Sequence, residues 1–261
     1  GNDGSQSITG LNFQPDWAWI KERSGAYHHS LTDSVRGVLK TLSSSRVDIA
    51  EYSESSGLNQ FLSNGLGFNG RGYFFVNRDT QTYAAWNWNA GNTDSATYRV
   101  VVVSDSGNKY RFRNSANTAT FAQSAVVLDL AEGGTYTFDQ SDSTMSSHPM
   151  KLSTTANGTH GGGTSYNTGV TYQLDGSTVT ESAFVSGFSS ATSRKLIITV
   201  AASAPTLYYY CHYHSGMGSS INTNSTLGSS NFDGTIQSTV KANTTAGFSI
   251  VRWTGNGSSG S

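Results

Sequence analysis

The residues with the clearest chemical potential follow a tyrosine-rich apolar segment. Cys211, His214 and Met217 place a thiol, an imidazole and a thioether within seven residues. Soft sulfur ligands with imidazole select copper, and two histidines, one cysteine and a weak axial methionine form the blue-copper arrangement. Such a site needs a second histidine from elsewhere in the chain. His148 is the candidate, because it follows two apolar segments within residues 125–138.

A plainer interpretation of the same residues stays open. Cys211 is the only cysteine, which excludes an intrachain disulfide, and a free cysteine often behaves as a small buried hydrophobe. The histidines would then be surface loop residues. His212 is expected to be exposed or to donate a hydrogen bond to a ligand, and not to bind the metal itself. His160 is expected to lie in a turn. The metal interpretation requires that the side chains of Cys211, His148 and His214 converge on one point.

The composition favours short strands joined by tight turns. Charged residues make up 13% of the 261 residues, well below the roughly 25% of an average globular protein. Gly, Ser, Thr and Asn replace them, and these residues favour turns and strands over helices. Aromatic residues are 11% of the chain and can supply buried area, which argues against disorder. We therefore predict an all-β protein.

Two classes of partner are excluded by charge and hydropathy. The net charge of −1 leaves no basic footprint for nucleic acid. No apolar run approaches the ~20 residues that a membrane-spanning helix needs. We expect no nucleic-acid partner and no membrane span.

Alternating and apolar segments predict individual strands. Residues 98–103 and 110–112 flank a turn and predict one hairpin, and residues 125–130 and 135–138 predict a second. Residues 31–42 fit either a helix or two short strands around a glycine turn. Further single strands are predicted at 72–76, 195–200, 235–240 and 248–253.

Residues 97–223 resemble the cupredoxin family. The resemblance is carried by His148-Pro149, by the segment 207–210 and by the loop Cys211-x-x-His214-x-x-Met217. It implies a Greek-key β-sandwich that binds one copper ion through His148, Cys211, His214 and Met217. Two residues separate the loop histidine from the methionine, where mononuclear cupredoxins usually have three or four, which puts the axial ligand in doubt. A binuclear centre is excluded because it needs a second cysteine.

The beginning and the end of the chain resemble a different module. Residues 13–21, 32–37 and 83–88 are similar to the concanavalin-type, lectin-like β-sandwich of marine phage structural proteins, and residues 243–251 resemble the strand that opens such a module. The resemblance implies a sandwich formed by residues 1–91 and 232–261, with the cupredoxin-like domain 97–223 between them. The tail would complete the sandwich of the same or of a neighbouring subunit. Donation to a neighbour would produce head-to-tail self-association into a fibre.

The tryptophans of the first block alternate with small or polar residues, so each pair lies on one face of a strand. We expect these four side chains to be core residues, with stacking on a sugar ring as the alternative: Trp17, Trp19, Trp86 and Trp88. Asp16, Asp33 and Asp79 could contribute to calcium binding, but they lack the spacing of a known calcium loop.

These observations together predict a noncatalytic extracellular structural protein of a fibre, appendage or virion, which carries one copper ion. Nothing in the sequence sets a general base beside a nucleophile. Two alternatives remain: a blue-copper electron-transfer protein, and a carbohydrate-binding adhesin of a tail fibre that recognises a surface glycan.

Overall fold

The computed structural model describes residues 1–48, 50–91, 95–224, 228–255 and 257. The chain divides into two compact units, one formed by residues 1–92 and 241–252 and the other by residues 93–240 and 253–261. The regular secondary structure of both is almost entirely strand, which confirms the predicted all-β class. Parts of the predicted segment 232–261, residues 256 and 258–261, lie outside the described residues. None of the helices in the described part of the chain has the length and apolar character to span a bilayer.

The first unit contains two sheets. A five-stranded sheet has the order β5-β4-β3-β2-β8, and a three-stranded sheet has the order β1-β7-β6. Their buried side chains, among them Ala18, Ile20, Leu58, Leu66 and Phe68, form one core. The strands are β1 Ser5–Thr9, β2 Trp17–Glu22, β3 Ser30–Asp33, β4 Lys40–Leu42, β5 Tyr52–Ser53, β6 Leu58–Leu62, β7 Gly65–Asn69 and β8 Tyr83–Trp88.

The predicted core position of the tryptophans is wrong. In β2 the interleaved residues Ala18 and Ile20 are buried, at 0% and 3% exposure, whereas the tryptophans on the other face are partly exposed. They pair across strands, with ring centroids 4.5 Å apart for Trp17 and Trp88 and 5.7 Å apart for Trp19 and Trp86. We call these four side chains the tryptophan ladder.

Residues 241–252 belong to the first unit of the same chain. Lys241 forms an ion pair of 2.6 Å with the buried carboxylate of Asp16. The ring of Phe248 stacks on Trp17 and Trp88 with centroid distances of 6.0 and 6.1 Å. These contacts lie within a single chain, and donation of the tail to a neighbouring subunit stays a prediction. The strands of the tail are β20 Ser238–Asn243 and β21 Phe248–Trp253, and residues of β20 up to Val240 group with the second unit.

The second unit is a sandwich of a six-stranded sheet, β10-β9-β12-β16-β14-β15, and a four-stranded sheet, β11-β18-β17-β13. Between them lies a large apolar core. Its elements are β9 Ser95–Ser104, β10 Asn108–Arg113, β11 Leu128–Ala131, β12 Thr135–Asp139, β13 Met150–Ser153, β14 Val170–Leu174, β15 Ser177–Val179, α1 Glu181–Gly187, β16 Arg194–Thr199, β17 Leu207–Cys211, β18 Ser220–Asn224 and β19 Ser229–Asn231, with two short 3₁₀ turns at Ser143–Met145 and Gly158–Gly161.

One predicted hairpin of this unit is present and the other is not. Strands β9 and β10 pair as predicted, with Ser104 opposite Asn108. Strands β11 and β12 exist but belong to different sheets, because β11 pairs with β18 and β12 pairs with β9 and β16. Both strands are apolar on one face, with Leu130 and Phe138 fully buried. The two apolar faces thus meet across the core and form a corner of the sandwich.

Two further segments test the predictions: one decides between two predicted alternatives, and the other does not form the predicted strand. Residues 31–42 form β3 and β4, with Gly37 at a φ of 100° between them, so the two-strand alternative is correct. The strand predicted at 72–76 is instead a series of turns. Gly72 and Phe75 both have positive φ, 68° and 56°, which breaks the extended conformation that a strand requires.

Candidate metal centre

The cluster lies at one end of two neighbouring strands. Strands β13 and β17 are antiparallel, and the first residue of one, Met150, lies opposite the last residue of the other, Cys211. His148 precedes β13 by two residues, and its backbone N–H donates to Met145 O at 2.8 Å. His212, directly after Cys211, donates its backbone N–H to Pro149 O at 2.9 Å. The sheet register therefore brings the predicted upstream histidine next to the cysteine.

The three predicted ligands converge as the metal interpretation requires. Cys211 Sγ lies 3.9 Å from His148 Nδ1 and 3.5 Å from His214 Nδ1. One ligand atom from each residue lies within 4.8 Å of the other two. Metal–nitrogen and metal–sulfur bonds of about 2.0 and 2.3 Å, at tetrahedral to trigonal angles, separate a sulfur ligand from a nitrogen ligand by roughly 3.5–3.7 Å. The two observed sulfur–nitrogen distances lie close to this range, and the thiol-plus-imidazole chemistry suits one soft metal ion.

Burial distinguishes the three groups. Cys211 is 0% exposed and His148 is 7% exposed, whereas His214 is exposed at the surface. Burial, and secondarily the charge of His214, lowers the pKa of His148 below its ordinary value. A lowered pKa keeps the imidazole neutral near pH 7, and the neutral ring is the form that binds a metal.

The loop that carries His214 is anchored on both sides. Lys109 Nζ donates to Gly216 O at 2.5 Å, and Tyr110 N donates to Met217 O at 3.0 Å. Asn157 binds the loop twice, with its Oδ1 accepting from Gly216 N at 2.8 Å and its Nδ2 donating to Ser215 Oγ at 2.8 Å. These contacts hold the backbone of the loop directly after His214, and the His214 ring lies 4.6 Å from the His148 ring between centroids.

Met217, the predicted axial ligand, is 1% exposed and packs in the same apolar core as Cys211. Its burial in this core is compatible with the predicted axial position, which stays a prediction. The backbone carbonyl of Met217 accepts a hydrogen bond from Tyr110 N at 3.0 Å.

Two side chains that the sequence did not assign to the cluster contact the backbone of its residues. Tyr110 is 0% exposed and its hydroxyl donates to His148 O at 2.9 Å. His160 Nε2 lies 3.0 Å from Cys211 O, so His160 is a neighbour of the cluster as well as a turn residue. The sequence could have indicated Tyr110. It alternates with the polar Arg111 in β10, so its phenol ring is expected to point into the core. His160 gave no such signal, because a turn of residues 158–161 brings it back to β17.

A polar network supports the strand ends beside the cluster. Lys151 lies opposite Tyr210, is 3% exposed, and forms an ion pair of 2.6 Å with Glu181. Glu181 also accepts hydrogen bonds from Ser165 Oγ at 2.6 Å and Asn167 Nδ2 at 2.7 Å. The network ties β13 to the N-terminus of α1.

The aspartates considered for calcium are engaged elsewhere. Asp16 is bonded to Lys241 and to Ser34 Oγ, and Asp33 pairs with Arg36 at 2.6 Å. Within the described ranges, the only group of three or more His, Cys, Asp or Glu side chains placed to hold a metal is the Cys211 cluster. The structure does not bring Asp16, Asp33 and Asp79 together into such a group.

The fold and the cluster define an all-β sandwich protein with a cysteine and two histidines placed as metal donors. The chain belongs to the family described as "Domain of unknown function (DUF7483)", whose model matches residues 1–111 and 220–261, more than half of its length. No curated protein and no solved structure matches the chain. All the predicted ligands lie between the two matched segments, so family membership does not itself describe the cluster. The likeness to cupredoxins and to lectin-like modules stays a prediction.

Proposed function

We propose that this chain is a noncatalytic extracellular structural protein of a fibre, appendage or virion, and that its second unit binds one copper ion. The observation that supports copper binding most is the convergence of Cys211 Sγ with His148 Nδ1 and His214 Nδ1, at 3.9 and 3.5 Å. One thiolate, two imidazoles and a weak axial thioether are the donor set of blue-copper sites. Met217 is the proposed weak axial ligand.

The proposed role of the ion is to stabilise the fold. Cys211 and His148 are 63 residues apart in sequence, so one ion would cross-link the ends of β13 and β17 through the loop that carries His214. Binding to the folded state alone adds RT ln(1 + [L]/Kd), or about 4 kcal/mol at a free metal concentration of 1,000 Kd. A sandwich fixed in this way suits a protein that withstands extracellular conditions.

Copper titration of the full chain tests the site. We expect a 1:1 complex with a sulfur-to-copper charge-transfer band at roughly 600 nm, lost in Cys211→Ser and weakened in His148→Gln. His28→Gln, which removes an exposed histidine of the first unit, is the matched control and should leave the band unchanged. A folded protein that gives no such band, or a band that survives Cys211→Ser, contradicts the proposal.

The structural role is tested separately from the site. We expect copper to raise the thermal unfolding temperature of the second unit and concentrated protein to form head-to-tail fibres in electron micrographs. Rapid reversible electron exchange with a small redox partner, without fibres, would favour the electron-transfer alternative.

A further inference from the structure

A cavity of about 370 Å³ lies in the first unit, between Arg46, the segment 27–28 and the turns of residues 71–75. Its volume is at the lower end of the roughly 300–1,000 Å³ that small-molecule sites occupy. The lining combines aromatic rings with arginine side chains. The copper ligands all lie in the second unit, so this cavity has no part in the proposed metal site.

The aromatic rings of the cavity are held in place and yet accessible. Tyr73 is 44% exposed, and its ring stacks on Tyr52 with centroids 4.3 Å apart and planes 25° apart. Tyr27 is 38% exposed and contacts the ring of Phe75 edge-on at 4.7 Å. Rings fixed in this way offer a flat apolar surface, and the C–H face of a sugar ring is a suitable partner for it.

The charge of the cavity is positive. Arg46 is neutralised by Asp48, and it also donates to Tyr73 Oη at 3.3 Å. Arg71 has no carboxylate partner within the described part of the chain, and its guanidinium lies 5.5 Å from the centre of the Phe75 ring. A guanidinium presents a planar pair of N–H donors that matches a carboxylate.

In a second cavity the arginines are paired with carboxylates. It has a volume of about 160 Å³ and is also lined by two arginines. There Arg99 pairs with Asp139 at 3.3 Å and Arg113 pairs with Asp142 at 3.2 Å, so its charges cancel. Of these two cavities in the described part of the chain, the larger one combines an arginine that lacks a carboxylate partner with accessible rings.

The backbone beside the larger cavity is strained. Phe75 has a φ of 56°, a conformation that bulky residues rarely adopt, and Tyr83 Oη holds its carbonyl at 2.8 Å. Such strain costs about 1–3 kcal/mol per residue and is found most often at functional sites and ligand clamps. Glu54 accepts Tyr73 N–H at 2.5 Å, which holds the turn of the cavity wall, and burial raises the pKa of its carboxyl above the ordinary value.

We propose that this cavity binds a carboxylated sugar, such as a hexuronate unit of an acidic glycan. The rings of Tyr73 and Tyr27 contact the apolar face of the sugar, and Arg71 pairs with its carboxylate. The site requires no metal, so its test is independent of the copper proposal. It gives the carbohydrate-binding alternative a definite place in the structure.

A matched pair of sugars tests the proposal on the full chain. Methyl β-glucuronide and methyl β-glucoside differ only in a carboxylate and a hydroxymethyl group, and their affinities can be compared by ligand-observed NMR. We expect the glucuronide to bind at least about tenfold more tightly, because a charge-assisted pair contributes roughly 1.5–3 kcal/mol. Arg71→Gln should reduce the preference to about twofold, and Tyr73→Ala should weaken both sugars at least about fivefold.

The control variant removes an equal charge from elsewhere in the same unit. Arg23 is exposed and does not line the cavity, so Arg23→Gln should bind both sugars as the unmodified chain does. Equal affinity for the two sugars, a preference that survives Arg71→Gln, or benzoate bound as tightly as the glucuronide overturns the proposal. A folded chain that shows no saturable glucuronide binding overturns it as well.

Discussion

Replacement of Glu181 by Gln tests whether the polar network beside the cluster stabilises the second unit. Burial alone would raise the pKa of Glu181. The hydrogen bonds from Lys151, Ser165 and Asn167, with the charge of Lys151, outweigh burial and lower the pKa from 4.5 to about 2. The ionised carboxylate is therefore bound more favourably in the folded chain than in the unfolded chain.

The pKa difference sets the size of the effect. A shift from 4.5 to about 2 corresponds to about 3 kcal/mol at 1.36 kcal/mol per pKa unit. The side chain is 28% exposed, so solvent screening reduces this to roughly 1.5–2 kcal/mol. Glu181→Gln also leaves the ammonium of Lys151, 3% exposed, without its counter-ion. We expect a loss of about 2 kcal/mol at pH 7.

The sign of the pH dependence follows from the lowered pKa. The stabilisation is fully present above pH 4.5, the ordinary pKa of a glutamate, and is lost as the pH falls through about 2. The unmodified chain should therefore lose this contribution in acid, and Glu181→Gln should not. The difference between the two proteins should shrink from pH 5 to pH 2.

The single thiol provides the assay. Cys211 is the only cysteine and is fully buried in β17, so its reaction with 4,4′-dithiodipyridine in metal-free protein requires opening of the second unit. At pH 7 we expect Glu181→Gln to react about 30-fold faster than the unmodified chain. Glu132→Gln, in the same unit but outside the network, should change the rate less than about threefold. Equal rates for Glu181→Gln and the unmodified chain, or a difference that does not shrink in acid, would refute the reasoning.

Two further substitutions probe the ligand environment and the tail. Tyr110→Phe leaves the buried carbonyl of His148 without its donor and should cost about 1–3 kcal/mol, measured as faster labelling of the thiol. The same change at the exposed Tyr213 should have no effect, and equal rates for both variants would contradict this account. Lys241→Met leaves the carboxylate of Asp16, 2% exposed, without a cation and should cost about 3 kcal/mol. Tryptophan fluorescence during urea unfolding measures this loss, since the tryptophan ladder lies in the first unit, and an unchanged midpoint would argue against it.

The sequence predicted the Cys211 cluster better than the side chains around it. Cys211 and His214 are three residues apart on one loop, so their proximity follows from the chain itself. The approach of His148 depends on the pairing of β13 with β17, which only the folded sheet determines. Ligand types at suitable positions were enough to predict the cluster, but the contacts of Tyr110 and His160 depend on tertiary packing.

Period-two patterns predicted strands correctly without predicting their faces or partners. Trp17 and Trp19 alternate with Ala18 and Ile20, and both sets are apolar, so the pattern alone does not say which set is buried. Likewise, a turn separates the segments that form β11 and β12. Such a turn occurs both in a hairpin and at a corner where the chain passes from one sheet to the other. The choice is made by which apolar faces meet in the core.

The first unit is discontinuous in sequence, and this has a consequence for synthesis on the ribosome. Residues 1–92 emerge first, but Phe248, which covers Trp17 and Trp88, is made only after the whole second unit. At about 5–20 residues per second, the delay between Trp88 and Phe248 is roughly 8–30 s. During that interval the nascent chain presents bare indole rings, to which a chaperone or an adjacent growing chain has access before the tail arrives.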